Sequence, residues 1–301
     1  MLRRLARNRL YWKHMFAQAM TNGNETQMTQ GTPFGRFFLH EKISQGAMAE
    51  IWLAADKEGN NFALRRLYNT SIFGLKTKKL FVRGCEILEK IHHHPNLIGY
   101  YEHGKIEGLP YVLLEYVEGH NLKLAPSRFP EVVEAYVGNI LIESAQALEH
   151  MHDNGFMHLD FKPENIMITR AGDVRLIDFD LAEEKPDKPK KMDKHSGTPA
   201  YMAPEQLQRL PLDHRADIFA FGITAYELLT NKKPFNGDTQ EEVIRRHVDP
   251  NFHIASTRQH NPELPLALDK IVLKCLERDP DKRYPYMSVL VRDLKTALYV
   301  D

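Results

Sequence analysis

The chain has 301 residues, 43% of them hydrophobic, enough to bury the core of one or two domains. Lys and Arg number 40, as do Asp and Glu, so the overall charge points to neither nucleic acid nor an anionic lipid surface as a partner. Two cysteines, Cys85 and Cys275, lie far apart and outside any C-x-x-C spacing, which argues against a disulfide framework or zinc site and for a reducing compartment.

Residues 1–33 read as a separate extension. Arg3, Arg4, Arg7, Arg9 and Lys13 precede the first acid, Glu25. At helical pitch Leu2, Leu5, Trp12, Phe16 and Met20 share one side, with Arg9 and Lys13 intruding on its edge. Such a basic amphipathic stretch can dock on a folded domain, stay disordered or lie on a membrane; docking or disorder is favoured over membrane contact. A polar linker follows from Thr21 to Thr32.

From Gly35 the pattern changes. Phe37-Phe38-Leu39 leads into Ile43-Ser44-Gln45-Gly46-Ala47-Met48-Ala49-Glu50-Ile51, two strand-like runs around a small-residue loop that alone reads as a hairpin turn. Asn61 to Arg65 is a further strand. Leu75 to Ile91 has helical periodicity through Leu80, Ile87, Leu88 and Ile91. His92-His93-His94 splay apart along the chain and read as a solvated loop. Asn96–Tyr101 and Tyr111–Tyr116 read as strands, and Pro130 to Asn154 as a long helix that Gly155 caps.

The chemistry concentrates in His158-Leu159-Asp160-Phe161-Lys162-Pro163-Glu164-Asn165 and in Asp178-Phe179-Asp180. Phosphoryl transfer from Mg-ATP requires a carboxylate to accept a hydroxyl proton, an amine at the moving phosphoryl group, and an amide plus a carboxylate to hold the metal. Asp160, Lys162, Asn165 and Asp178 supply that set. The plain alternative for an isolated D-x-K-x-x-N is a polar turn between strands.

These motifs resemble the protein-kinase catalytic loop H-R-D-L-K-P-E-N and D-F-G, and Ala203-Pro204-Glu205 matches A-P-E. The resemblance is to eukaryotic-like (Hanks-type) serine/threonine kinases, of the kind found in bacteria, and covers roughly nine-tenths of the chain. It implies an α+β, two-lobed fold: a small antiparallel sheet with helix C over residues 34–118, then a larger helical lobe over 119–301. It implies ATP and Mg2+ (or Mn2+) as cofactors, with Asp160, Lys162 and Asn165 catalytic and Asn165 and Asp178 on the metal. The purine slot would be Ile43, Ile51, Ala63 and Met167, with Gly46 in the phosphate loop, Leu114 as gatekeeper, and Glu115 to Val117 as the hinge. Arg65 stands at the phosphate-clamping lysine position. Asp217-Ile218-Phe219-Ala220-Phe221-Gly222 resembles the start of helix F, and Arg283 would pair with Glu205 as a buried structural ion pair.

Four positions depart from the family's pattern. Arg65 replaces lysine, Gly84 stands where helix C carries its glutamate, Leu159 replaces the H-R-D arginine, and Asp180 replaces the D-F-G glycine. Glu86 lies about 200° around the helix from position 84, so Arg65 is expected to lack a partner. Replacing the mid-helix Gly84 is expected to be mild, gaining roughly 0.5–1 kcal/mol of helix stability. Asp180 is either a solvated acid or a perturbation of the metal site. The activation loop, Leu181 to Gly197, offers Ser196 as its hydroxyl, so a phosphate switch through arginine lacks both ends.

Two functions from different classes remain open. One is a serine/threonine kinase with an altered phosphate clamp, acting on a protein hydroxyl. The other is a pseudokinase that binds nucleotide or a regulated partner protein without transfer. No apolar run approaches the length of a membrane span and no signal-peptide core is seen, so a cytoplasmic protein without nucleic-acid partners is expected.

Overall fold

The computed structural model describes residues 31–46, 49–68, 75–192 and 197–298. The basic N-terminal stretch, Ala47, Met48 and Ser196 lie outside the described residues. Among the described residues, six strands form one antiparallel sheet: β1 (Thr32–Phe34), β2 (Phe37–Gln45), β3 (Ala49–Ala55), β4 (Asn61–Leu67), β5 (Tyr100–Ile106) and β6 (Leu109–Glu115), in the order β1-β2-β3-β4-β6-β5. The two-residue period of a strand decides what each face meets. Tyr111 and Leu113 of β6 join Phe34, Phe37, Leu39 and Leu64 in one apolar cluster. Val112, between them, faces the other way and packs with Leu67, Phe81 and Cys85 beneath helix α1 (Leu75–Lys90). Both faces of β6 are thus covered, which is why its sequence is a continuous apolar run rather than an alternating one.

The same alternation aims the cleft residues. Ile51 of β3 lies opposite Arg65 of β4 in register, and Ala63 lies opposite Leu114 of β6. All four therefore belong to the face turned toward the second lobe. The expected strand over Asn96–Tyr101 is displaced: pairing with β6 begins at Tyr100. Residues 96–98 are drawn away because Leu97 and Ile98 are buried in the core of the other lobe. Their backbone bonds go to Leu176 instead, through Ile98 N and Asn96 O.

That second lobe is built around α3 (Pro130–Asp153) and α5 (Arg215–Thr230), each preceded by a four-residue helix, α2 (Ala125–Arg128) and α4 (Pro204–Leu207). Gly155, at φ +82°, ends the long helix as its sequence implies. Helix α5 is apolar nearly all round and is correspondingly buried. Gly222 lets it approach the segment after it closely, since a Cβ there would sit 2.7 Å from Cβ of Cys275. Helices α6 (Gln240–Val248), α7 (Thr257–His260), α8 (Leu266–Cys275) and α9 (Met287–Leu298) complete the lobe. Both cysteines are free and buried. Arg283 is fully buried against Glu205, with two bonds of 2.7 and 2.8 Å, and spends its other N–H groups on the carbonyls of Glu277, Arg215 and Arg278. The architecture is the expected one, a small sheet lobe on a larger helical lobe. Among the described residues no helix is long and apolar enough to cross a membrane.

His247 is wholly buried in the same region, its ring 4.1 Å from that of Phe235 and its Nδ1 3.1 Å from the Met202 carbonyl oxygen. Burial holds its pKa down at about 4, against 6.5 ordinarily, with Arg278 and Lys233 adding repulsion. The unfolded chain therefore takes up a proton that the native one refuses. This stability is intact above pH 6.5 and is lost as pH falls toward 4, by about 2 kcal/mol at pH 5. Urea unfolding of the parent and of His247→Phe at pH 7.5 and pH 5 checks this. The parent should lose more stability on acidification than the variant does.

Candidate functional site

The loop between β8 (Phe156–Met157) and β9 (Ile166–Thr169), the latter paired with the short strand β7 (Gly119–Asn121), carries the predicted catalytic residues. Its backbone is pinned from below by Asp217 at the start of α5. The two carboxylate oxygens accept bonds from His158 N (2.9 Å), Leu159 N (2.8 Å) and His152 Nε2 (2.8 Å). Burial alone would raise the pKa of Asp217, but His152 and His158 outweigh it and hold the carboxyl below its ordinary value. The anchorage keeps Leu159 in the left-handed region at φ +61°, immediately before Asp160, which with Thr198 lines a small pocket over Asp217. The Leu159 side chain itself packs against the core of the helical lobe.

The Asp160 carboxylate then collects three neighbours. Lys162 Nζ approaches its Oδ2 at 2.6 Å, and Asn165 Nδ2 reaches the same oxygen at 3.0 Å and the Asp160 carbonyl at 2.8 Å. Thr198 donates its backbone N–H and its hydroxyl to Oδ1 at 3.2 and 3.1 Å, and Lys162 also reaches Thr198 Oγ1 at 2.7 Å. The short strand β10 (Val174–Leu176) pairs with β9, and Ile177 N bonds to Asn165 O at 2.9 Å. That places Asp178 beside Asn165 in the cleft. Asp178 is also in the left-handed region, at φ +64°.

Above this loop lies a cavity of about 390 Å³, within the usual range for a small-molecule site. Of the residues predicted to hold nucleotide, Ile43, Ile51, Ala63, Arg65, Leu114, Glu115, Val117 and Met167 line it, as do Asn165 and Asp178. Gly46 does not. It is held at the loop base, its N–H on the Ala49 carbonyl and its own carbonyl receiving the Tyr68 hydroxyl at 2.5 Å. Cys85, Leu88 and Ile98 at the back, and His120, Phe129 and Arg170 at the front, also line the cavity. Sequence reasoning missed these because each comes from an element with another evident task, in core or loop.

The expectation of an unpartnered Arg65 is overturned. Its guanidinium makes a bidentate pair with Asp180, Nη1–Oδ1 2.8 Å and Nη2–Oδ2 2.6 Å, with both side chains about one-fifth exposed. Asp178 Oδ1 stands 3.6 Å from Nη1. Burial works against the arginine charge, yet Asp178 and Asp180 together hold its pKa above the ordinary value. Asp180 is therefore not a solvated acid. The expectation that substitution at Gly84 would be mild is overturned too. A Cβ there would lie 2.8 Å from the Phe179 carbonyl oxygen and 3.0 Å from Asp180 N, both backbone atoms that cannot rotate away. Glu86 is exposed, facing elsewhere as expected.

A family model for the protein kinase domain matches residues 37–294, and the chain belongs to that family. It is 31% identical over 269 residues to the probable serine/threonine-protein kinase PknB of Corynebacterium glutamicum, covering 86% of this chain and 42% of that one. It is 29% identical over 272 residues to the serine/threonine-protein kinase PrkC of Bacillus subtilis (89% and 41%). Against the tyrosine-protein kinase MasK of Myxococcus xanthus it is 30% identical over 283 residues (88% and 43%). The chain thus spans about two-fifths of the length of these relatives.

Gly84→Ala separates helix propensity from packing. The helix should gain up to about 1 kcal/mol, but the overlap with the Phe179–Asp180 backbone should cost about 1–3 kcal/mol, leaving a net loss. Glu86→Ala, two residues away and exposed, should stay within about 0.5 kcal/mol of the parent. Urea midpoints of both variants decide it, and a stabilised Gly84→Ala would contradict the close approach.

Proposed function

We propose that this chain is an ATP- and Mg-dependent serine/threonine protein kinase that transfers the γ-phosphate to a protein hydroxyl. One observation carries the reading: the Asp160 carboxylate sits among Lys162, Thr198 and Asn165, and Asn165 with Asp178 lines an apolar cavity of nucleotide size. A polar turn would need none of these convergent bonds. Asp160 would accept the proton of the incoming hydroxyl. Lys162, already shared between Asp160 and Thr198, is placed to meet the transferring phosphoryl group. The fit to a metal is good. Asn165 uses its amide nitrogen on Asp160, which leaves its oxygen, with the Asp178 carboxylate, as the two protein donors that Mg2+ needs alongside phosphates and water. Held by Asn165 and Asp178, the ion would offset the charge that develops on the transferring phosphoryl group.

The scaffold alternative leaned on Arg65, Gly84, Leu159 and Asp180. Three of these now form one bonded constellation rather than three losses, which favours the enzyme. The fourth, Leu159, is core-packed and cannot read a phosphate, so activation through phosphate–arginine pairing is not part of the proposal.

The expected outcomes are direct. Saturating Mg-ATP should raise the melting temperature, and transfer to a protein acceptor should yield phosphoserine or phosphothreonine. Asp160→Asn should lower kcat by roughly a hundredfold or more with the nucleotide-induced shift retained. Asp178→Asn should weaken that shift as well as transfer. Phosphotyrosine alone would redirect the acceptor class, and full activity in Asp160→Asn would dismiss the mechanism.

A further inference from the structure

Arg65, Gly84 and Asp180, three departures from the family's pattern, meet at one point in the cleft. Arg65 and Asp180 are 115 positions apart in the chain and share two short bonds. The guanidinium also lies over the Phe81 ring, 5.1 Å from its centroid, so its plane is held on one side by α1 and at its edge by Asp180. The backbone of Phe179 and Asp180 runs so close to α1 that no residue with a Cβ fits at 84 without displacing it. The neighbouring Arg83 fastens the same segment, pairing with Glu183 and lying 3.5 Å from the Asp180 carbonyl oxygen. The space a glutamate on α1 would need is filled by the segment itself.

We infer that Asp180 is the positioning residue for Arg65, taking over from the segment that carries Asp178 the part played in the family by an acid on the helix, and that Gly84 is the opening that admits it. This rests on the kinase reading for its consequence, namely that Arg65 is thereby aimed at the nucleotide phosphates. The chemistry suits an arginine. A planar fork with two parallel donors is fixed by a carboxylate accepting both, which a point-charge ammonium cannot match. Asp178 also stands within ion-pair reach of the guanidinium, 3.6 Å from Nη1, but the direct bidentate bonds go to Asp180. The carboxylate that orients the phosphate-facing cation accordingly comes from the Asp178–Asp180 segment and not from α1.

The test is a double-mutant cycle over Arg65→Gln and Asp180→Asn in the full chain. It is read in Mg-ATP affinity by calorimetry and in kcat/KM with a generic protein acceptor, each variant first shown to unfold cooperatively. Asp180→Asn in the parent should lower kcat/KM roughly ten- to a hundredfold, as expected for loss of a charged, bidentate contact. With Gln already at 65 the same change should matter less than about threefold, because its effect passes through Arg65. Asp180→Glu, which keeps a carboxylate, should recover part of the loss. If the asparagine variant fails to fold, Asp180→Gly, the family's own residue, serves in its place. Equal effects of the position-180 change in both backgrounds, or none in the parent, overturn the inference. If the parent binds Mg-ATP yet transfers no phosphate, the kinase reading falls, and the affinity cycle alone decides the pairing: non-additive values support it and additive values reject it.

Discussion

The site hangs on a carboxylate that never sees solvent. Asp217 is fully buried, and a buried charge is tolerable only where its lone pairs are taken by donors. Here they are taken by two consecutive backbone N–H groups of the catalytic loop and by the His152 ring. Removing any of those donors would strand the charge, so loop and helix are mutually obligatory. That obligation is what holds Leu159 in a left-handed conformation that a bulky residue otherwise avoids. After that turn come Asp160 and its bonds to Lys162, Asn165 and Thr198. A buried apolar helix beneath the polar loop holds these groups in one arrangement, as positioning-dominated chemistry demands.

The opposite wall of the cleft is organised by exchange rather than by loss. An ion pair needs an acid and a base within reach, and nothing in that requirement fixes which element supplies the acid. With Asp180 on the segment beside Asp178, the helix needs no side chain at position 84, and the absence of one lets the segment move in. Each of the three substitutions looks damaging by itself. Together they rebuild a bidentate contact at 2.6–2.8 Å. The price is constraint, since helix α1 and the Asp178–Asp180 segment are now pressed backbone to backbone and cannot shift independently.

Much of the molecule was legible in the sequence because it is written locally. The catalytic loop, the Ala203-Pro204-Glu205 segment and the apolar start of α5 are contiguous runs whose residue types state their own chemistry. The end of α3 at Gly155 follows from a local rule as well. The strand expected over residues 96–101 illustrates the limit. Leu97 and Ile98 are apolar enough for either lobe, and periodicity cannot say which one buries them. The helical lobe won, and the strand began later.

By itself, then, the sequence determined the architecture, because the motifs that carry its resemblance to protein kinases are short contiguous runs, and it named candidate groups for the site. Only the tertiary structure decided what Arg65, Gly84 and Asp180 mean. Their relation spans 115 positions and depends on a backbone approach so close that a Cβ at position 84 would lie 2.8 Å from the Phe179 carbonyl oxygen, an approach set by the packing of α1 against the Asp178–Asp180 segment. A glycine in a helix reads as a weakness, and an aspartate after D-F reads as an intrusion, until the fold lays one beside the other. Charge pairing across a cleft is a long-range event: residue types say which partners are possible, and geometry alone selects among them.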